Sequence, residues 1–158
     1  MKKFKELSKD SFIENEKKYI DFWNEISILN KSIDKGDKYW VFYDGPAFAN
    51  GFPGLHHMVA KNLKDIVCKY KTMQGYKVIR KIGWDTHGLP IENHVEKKMG
   101  FKTKKDIEAF GIENFNKECR KSVRENEAAF TDLTHKMGQF IDTENPYLTY
   151  KNEYIETE

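Results

Sequence analysis

Two adjacent histidines, His56 and His57, follow the glycine- and proline-rich run Gly51-Phe52-Pro53-Gly54, and an isolated acid, Asp85, comes later in Gly83-Trp84-Asp85-Thr86-His87-Gly88. Imidazoles at a helix start can donate to phosphate oxygens and stabilise charge that grows during a transfer reaction. The helix start itself adds unpaired N–H groups and a positive dipole end, worth about 0.3–1 kcal/mol to an exposed anion and up to about 2 to a partly buried one. The bland alternatives for the histidine pair are a partly exposed cap or a metal site, and adjacent histidines lack the usual spacing of zinc ligands. Context favours the anion: Gly45-Pro46 and the run from Gly51 to Gly54 keep the loop free of bulk, so a flat ligand can approach its backbone. At the carboxyl end of a strand, Asp85 suits an ammonium group, its alternative role being to cap the next helix. Trp84 and His87, taken singly, read as packing residues.

These residues need a strand, a helix and a second strand to hold them. Tyr39 to Tyr43 (YWVFY) is a short aromatic and β-branched run closed by Asp44-Gly45-Pro46, which predicts a buried strand that delivers a loop. Val59, Leu63, Ile66, Val67, Tyr70 and Met73 recur at helical spacing and form one apolar stripe, so a helix is expected from about Leu55 to near Gly75. Tyr76 to Ile82 (YKVIRKI) predicts the second strand, with Asp85 in the turn after it. A unit of this length crosses over right-handed and makes the strands parallel.

The flanks read as helical. Ser11 and Glu14 have capping-box spacing, and Phe12, Tyr19, Ile20, Trp23 and Ile26 then predict a helix into the high twenties or beyond, ended by Gly36 within Lys35–Lys38. Past Glu92, Asn93 to Met99 predicts a short helix stopped by Gly100, and Thr103 with Asp106 opens another that stops at Gly111. Ile112, Phe115, Cys119, Val123, Phe130, Leu133 and Met137 mark a long amphipathic helix ended by Gly138. The tail carries Asn145-Pro146 and turn residues. The expected organisation is one domain in three parts: a helical lead-in (1–38), a βαβ unit with the site (39–92) and a helical extension (93–158).

A chain of 158 residues and 18.7 kDa can bury one real core and is short for two. Its 39% hydrophobic, 14% aromatic and 33% charged residues describe a globular protein. No apolar run approaches the length of a membrane span, so no membrane partner is expected. The basic N-terminus lacks the apolar block of a secretory signal, and the cytosol is the expected location. Cys68 and Cys119 are too few for a disulfide framework and lie outside any CxxC pair, so both read as reduced packing residues. The net charge of +2 comes from 27 basic and 25 acidic residues that are interspersed, unlike the stripe of a nucleic-acid footprint. The cluster Lys97, Lys98, Lys102, Lys104 and Lys105 reads as a solvated helix face.

Taken together, YDGPAFANG, the element Gly54-Leu55-His56-His57 before MVAKNLKDIVCKYKTMQGY, and GWDTHGLPIE resemble the N-terminal catalytic segment of a class I aminoacyl-tRNA synthetase of the isoleucyl branch. The likeness covers essentially the whole chain, including CRKSV near Cys119 and MGQFIDTENPYLTY near the end. Valyl and leucyl relatives share the architecture, and the wording GWDTHGLPIE favours the isoleucyl branch. The fold class this implies is α/β, a Rossmann-like half-domain of the HIGH-type nucleotidylyl transferases, with parallel strands and many helices.

The resemblance implies ATP-dependent activation of isoleucine to the adenylate and transfer to tRNA(Ile), the tRNA being met through the full-length protein. It places Gly45, Pro46, Asp85 and Trp84 around the amino acid, with Asp85 on the α-ammonium, and Asn50, Gly54, His56 and His57 around ATP, with magnesium as the nucleotide's usual counter-ion. No protein-bound metal is expected. His56 and His57 carry the catalytic role, by electrostatic stabilisation of an in-line displacement.

The chain departs from the family's pattern in two ways. The HIGH element has His first and Gly third, and Gly54-Leu55-His56-His57 exchanges the two. An imidazole at position 56 either swings aside and replaces the lost donor or obstructs the adenine, and the swap resembles that of isoleucyl synthetases that resist pseudomonic acid (mupirocin). Further, no KMSKS-like loop, second half-sheet, editing insertion or anticodon-binding region occurs in the sequence. The expectation is a fragment or truncated reading frame, inactive alone, that works with the remaining catalytic half-domain. The alternative is a non-catalytic fragment that binds a nucleotide or a partner.

Overall fold

The computed structural model describes residues 9–157; the first eight residues of the expected lead-in lie outside them. Helix α1 (Phe12–Glu25) opens on the expected capping box, with the Ser11 hydroxyl accepting from the Glu14 N–H at 3.3 Å and the Glu14 carboxylate accepting from the Ser11 N–H at 2.9 Å. The expected single helix is two, because Ser27 adopts a left-handed backbone (φ 51°) before α2 (Ile28–Asp34). Trp23 ties α1 to the body, edge-on to Phe140 at 5.2 Å.

Every strand pair is parallel. β1 (Lys38–Tyr39) pairs with β3 (Tyr76–Lys77), while β2 (Ala47–Phe48), β4 (Lys81–Asp85) and β5 (Asp142–Leu148) form a sheet in the order β2-β4-β5. Helix α3 (Leu55–Met73) makes the crossover between β2 and β4. The rest is α4 (Leu89–Met99), α5 (Lys104–Phe110), α6 (Ile112–Lys136) and α7 (Asn152–Ile155). A parallel sheet of short strands flanked by helices is the Rossmann-like half-domain that the sequence implied.

Four expectations need correction. The run YWVFY is not a buried strand: only its first residue joins a ladder, and Tyr39, Val41 and Tyr43 are exposed. It lies on a sheet edge with one face uncovered, so alternate side chains point to water. The second strand forms in two pieces with different partners, β3 beside β1 and β4 beside β2 and β5, and between them lies the buried Arg80. Its guanidinium donates to the carbonyls of Phe140 and Cys68 at 3.2 and 3.4 Å and to the Thr72 hydroxyl. The ladder resumes at Lys81, which makes Asp85 the last residue of β4 and not part of a turn after it. Helix α4 begins at Leu89, ahead of the expected Asn93, with Pro90 in the first turn where its missing N–H costs nothing. Lastly, the tail that reads as turns contains β5, in register with β4 at Gly83–Tyr147 and Trp84–Leu148.

The core forms between the sheet and α6. Ile82, Trp84, Phe130, Ile141 and Leu148 make one cluster, and Ala49, Ile91 and Val123 join α4 to α6 in a second. Helix α3 has its expected extent, yet its apolar stripe faces outward, from Val67 at 45% exposed to Met73 at 79%. Lys61, Asp65 and Cys68 form its buried side. Polar bonds hold that side inward: the Asp65 carboxylate accepts from the Phe140 N–H at 3.1 Å and pairs with Lys69. Both cysteines are free, and burial pushes each thiol up to about 11, which leaves them protonated and unreactive.

Candidate functional site

The first turn of α3 is capped from within. Gly54 precedes it in extended backbone (φ −104°, ψ 175°), and its N–H donates to His57 Nδ1 at 3.0 Å. Because Nδ1 accepts this bond, the imidazole proton resides on Nε2, and His57 is both a cap and a potential donor. Its ring stands edge-on to the buried Phe130 at 4.9 Å. Burial, followed by the charges of His56 and Lys61, lowers the pKa of His57, so the ring is neutral near pH 7. His56 is exposed, with its ring 3.8 Å from that of His57. It folds back over Gly54, where a Cβ would lie 3.0 Å from His56 Cε1 and 3.1 Å from Nδ1.

On the other strand end, the carboxylate of Asp85 is bonded to Thr149, a residue that sequence reasoning did not single out. The buried Thr149 hydroxyl reaches Asp85 Oδ1 at 3.4 Å, accepts from the Thr86 N–H at 3.0 Å and meets His87 Nδ1 at 2.7 Å. The backbone of Asp85 also ties down the start of the loop after β2, since its carbonyl accepts from the Ala49 N–H at 3.0 Å and the Ala49 carbonyl accepts from the Asn126 amide at 2.9 Å. Tyr147 crosses β4 at Gly83 and donates to the Asp44 carbonyl at 2.5 Å. A Cβ at position 83 would sit 1.8 Å from the Tyr147 ring, so that crossing needs glycine. Burial pushes the Tyr147 hydroxyl up to about 12, keeping it a donor. Gly45, where a Cβ would meet nothing within 4 Å, leaves the adjoining loop open, and Pro46 follows it into β2. Asn50 is exposed just beyond β2.

Trp84 does not belong with the amino-acid contacts. It is 1% exposed, packed on Phe130 at 5.2 Å within the core. Side chains alternate along a strand, so Ile82 and Trp84 point to the face covered by α3 and α6, and Gly83 and Asp85 point to the face crossed by Tyr147. The histidine-bearing turn and the acid thus flank the carboxyl edge of the β2–β4 pair from opposite faces. A ligand that touches both lies across that edge, where open parallel sheets receive their ligands. A separate cleft of about 520 Å³ between α1 and the 138–145 segment contains none of these residues.

The profile of the tRNA synthetases class I (I, L, M and V) matches residues 18–158, and the chain belongs to this family. Within it, the sequence is similar to the isoleucine–tRNA ligases. It is 47% identical to that of Clostridium tetani over 149 residues, covering 93% of this chain and 14% of the relative. It is 51% identical to that of Streptomyces avermitilis over 140 residues, covering 87% and 13%. With the Bacteroides fragilis protein, identity is 46% over 159 residues, covering 99% and 14%. The chain therefore spans about a seventh of the length of these relatives and represents an N-terminal segment of the isoleucyl type. The fold is shared with the agnB2 LeuRS of Agrobacterium radiobacter K84, solved with tRNA and LeuAMS, at a TM-score of 0.68 and 18% identity over 89% of this chain and 16% of that one.

Proposed function

We propose that this chain supplies the amino-acid and ATP-phosphate contacts of isoleucine activation. In that reaction the isoleucine carboxylate attacks the ATP α-phosphorus, pyrophosphate leaves, and the aminoacyl group later passes to tRNA(Ile). What carries the reading is the meeting of two opposite charge preferences at one sheet edge: a carboxylate at the end of β4 and the positive start of α3. Asp85 holds the α-ammonium, steadied by Thr149. Gly45 and Pro46 line the side chain, and Asn50 and Gly54 border the adenylate. His57 donates from Nε2 to the phosphates, and its lowered pKa suits a neutral donor that stabilises developing charge and not a proton carrier. The fold of His56 over Gly54 supports the first of its two expected outcomes, in which the ring vacates the adenine's space and replaces the donor displaced by the swap. Among the described residues no cluster of three His, Cys, Asp or Glu forms a metal site, and magnesium would enter bound to ATP.

Isoleucine-dependent exchange of pyrophosphate into ATP tests the reading, with the chain supplied with the remaining catalytic half of a relative such as the C. tetani ligase. Exchange that is lost in Asp85→Ala is expected; no exchange, or exchange indifferent to Asp85, rejects it. Run with pseudomonic acid, the same assay on the double exchange Gly54→His/His56→Gly is expected to show tighter inhibition. Unchanged inhibition rejects the resistance reading. The outward apolar face of α3 favours a second reading, a fragment that binds a partner without turnover; it gives complex formation with no exchange.

A further inference from the structure

We propose that Lys61 is a phosphate-binding residue, its ammonium completing from the inward side of α3 the anion position made by the helix's first turn. The proposal rests on the reading that this turn receives the phosphates of ATP. Lys61 is only 6% exposed, yet its ammonium makes no hydrogen bond and no ion pair with the described residues. The carboxylates nearby pair with other lysines, Asp44 with Lys64 and Asp65 with Lys69, and Asp44 acts on Lys61 only through its charge. The ammonium stands 5.6 Å from the centroid of the Trp84 ring, and Trp84 Nε1 is itself a buried donor with no acceptor. A buried indole N–H without an acceptor and an ammonium on a mostly buried side chain, neither hydrogen-bonded, therefore share one region.

An ammonium held this way is costly, and a leucine or methionine would fill the same space at lower cost. The cost is offset when an anion arrives. Helical side chains tilt toward the N-terminus, so Lys61 reaches back over the turn that carries His57. Its charge is among those that depress the His57 pKa, in keeping with that direction. The free N–H groups of the first turn, His57 Nε2 and the Lys61 ammonium thus offer several donors around one helix start. A set of this many donors suits the several oxygens of a polyphosphate better than a lone carboxylate.

The test compares the wild-type chain with Lys61→Met and Lys61→Gln, titrating each with ATP and with adenosine by calorimetry and recording urea unfolding. Loss of one charge-assisted contact predicts ATP binding weakened about tenfold or more in both variants, with adenosine binding unchanged. In Lys61→Met the urea midpoint is expected to rise, since a mostly buried lysine with an unpaired ammonium gives way to an apolar chain of similar length. Equal ATP affinity in wild type and variants overturns the proposal. So does a fall in urea midpoint with ATP and adenosine weakened together, the mark of a structural lysine; if Lys61→Met does not fold, Lys61→Gln decides on the same criteria. A wild-type chain that binds adenosine as tightly as ATP removes Lys61 from the site but leaves the site itself standing. One that binds neither overturns both.

Discussion

His57 carries its proton on the nitrogen turned away from Gly54, and one imidazole thereby closes a helix and keeps a donor free. Its depressed pKa links stability to pH. The unfolded ring, near its ordinary value of 6.5, binds a proton before the folded ring does, so stability rises with pH through this window. The contribution is fully present above about 6.5 and is lost as pH falls through the lowered folded value. Urea midpoints are expected to drop between about pH 7.5 and 5.5, with a flatter profile in His57→Gln, whose side-chain oxygen can still accept from Gly54. An identical decline in the variant would refute the assignment. At this scale the sequence displays those residues whose chemistry goes with a loop, a helix start or a strand end: Gly45, His56, His57 and Asp85. Thr149, Tyr147 and Lys61 acquire their roles only when β5 and α3 fold against β4, and a threonine, a tyrosine and a lysine in polar surroundings give no local sign of it.

Among the elements, β4 is the hinge of the arrangement, because each of its faces serves a different partner. Gly83→Ala would drive a methyl group into the Tyr147 ring and break the bond to the Asp44 carbonyl. Overpacking of this kind costs about 1–3 kcal/mol. Tyr147→Phe removes the bond alone, expected at about 1–3 kcal/mol because the carbonyl loses its partner. Denaturant unfolding of the two singles and the double is expected to give a total well below their sum, since both act through one contact; strict additivity would sink this account. The end of α4 and the helices α5 and α6 are legible because the Thr103–Asp106 capping box and the glycines punctuate them, with Gly100 and Gly111 both at positive φ. Strand β5 is not, because DTENPYL lacks strand alternation, carries a proline and folds the Asp142 carboxylate onto the Glu144 and Asn145 N–H groups. Its strand character comes wholly from pairing with β4.

For the molecule as a whole, the periodicity of α3 fixes its length and the existence of an apolar face but not what that face meets. Leu63, Ile66, Val67 and Tyr70 form a contiguous outward stripe, larger in kind than the single exposed residues of ordinary surfaces. The chain is therefore expected to self-associate: sedimentation velocity should show a weight-average mass that rises with concentration, suppressed in Leu63→Lys/Ile66→Lys. Those exposed substitutions should change folding stability by no more than about 0.5 kcal/mol each. A monodisperse wild-type monomer with a cooperative melt would contradict the expectation. The opposed faces of β4 have one more consequence, for chemistry brought to the protein. With the acid on one bank of the sheet edge and the helix start on the other, a free amine or a free phosphate can engage only a single bank. A compound that tethers both at the right span turns the second encounter into an intramolecular one, and its affinity then grows by effective concentration without any added contact.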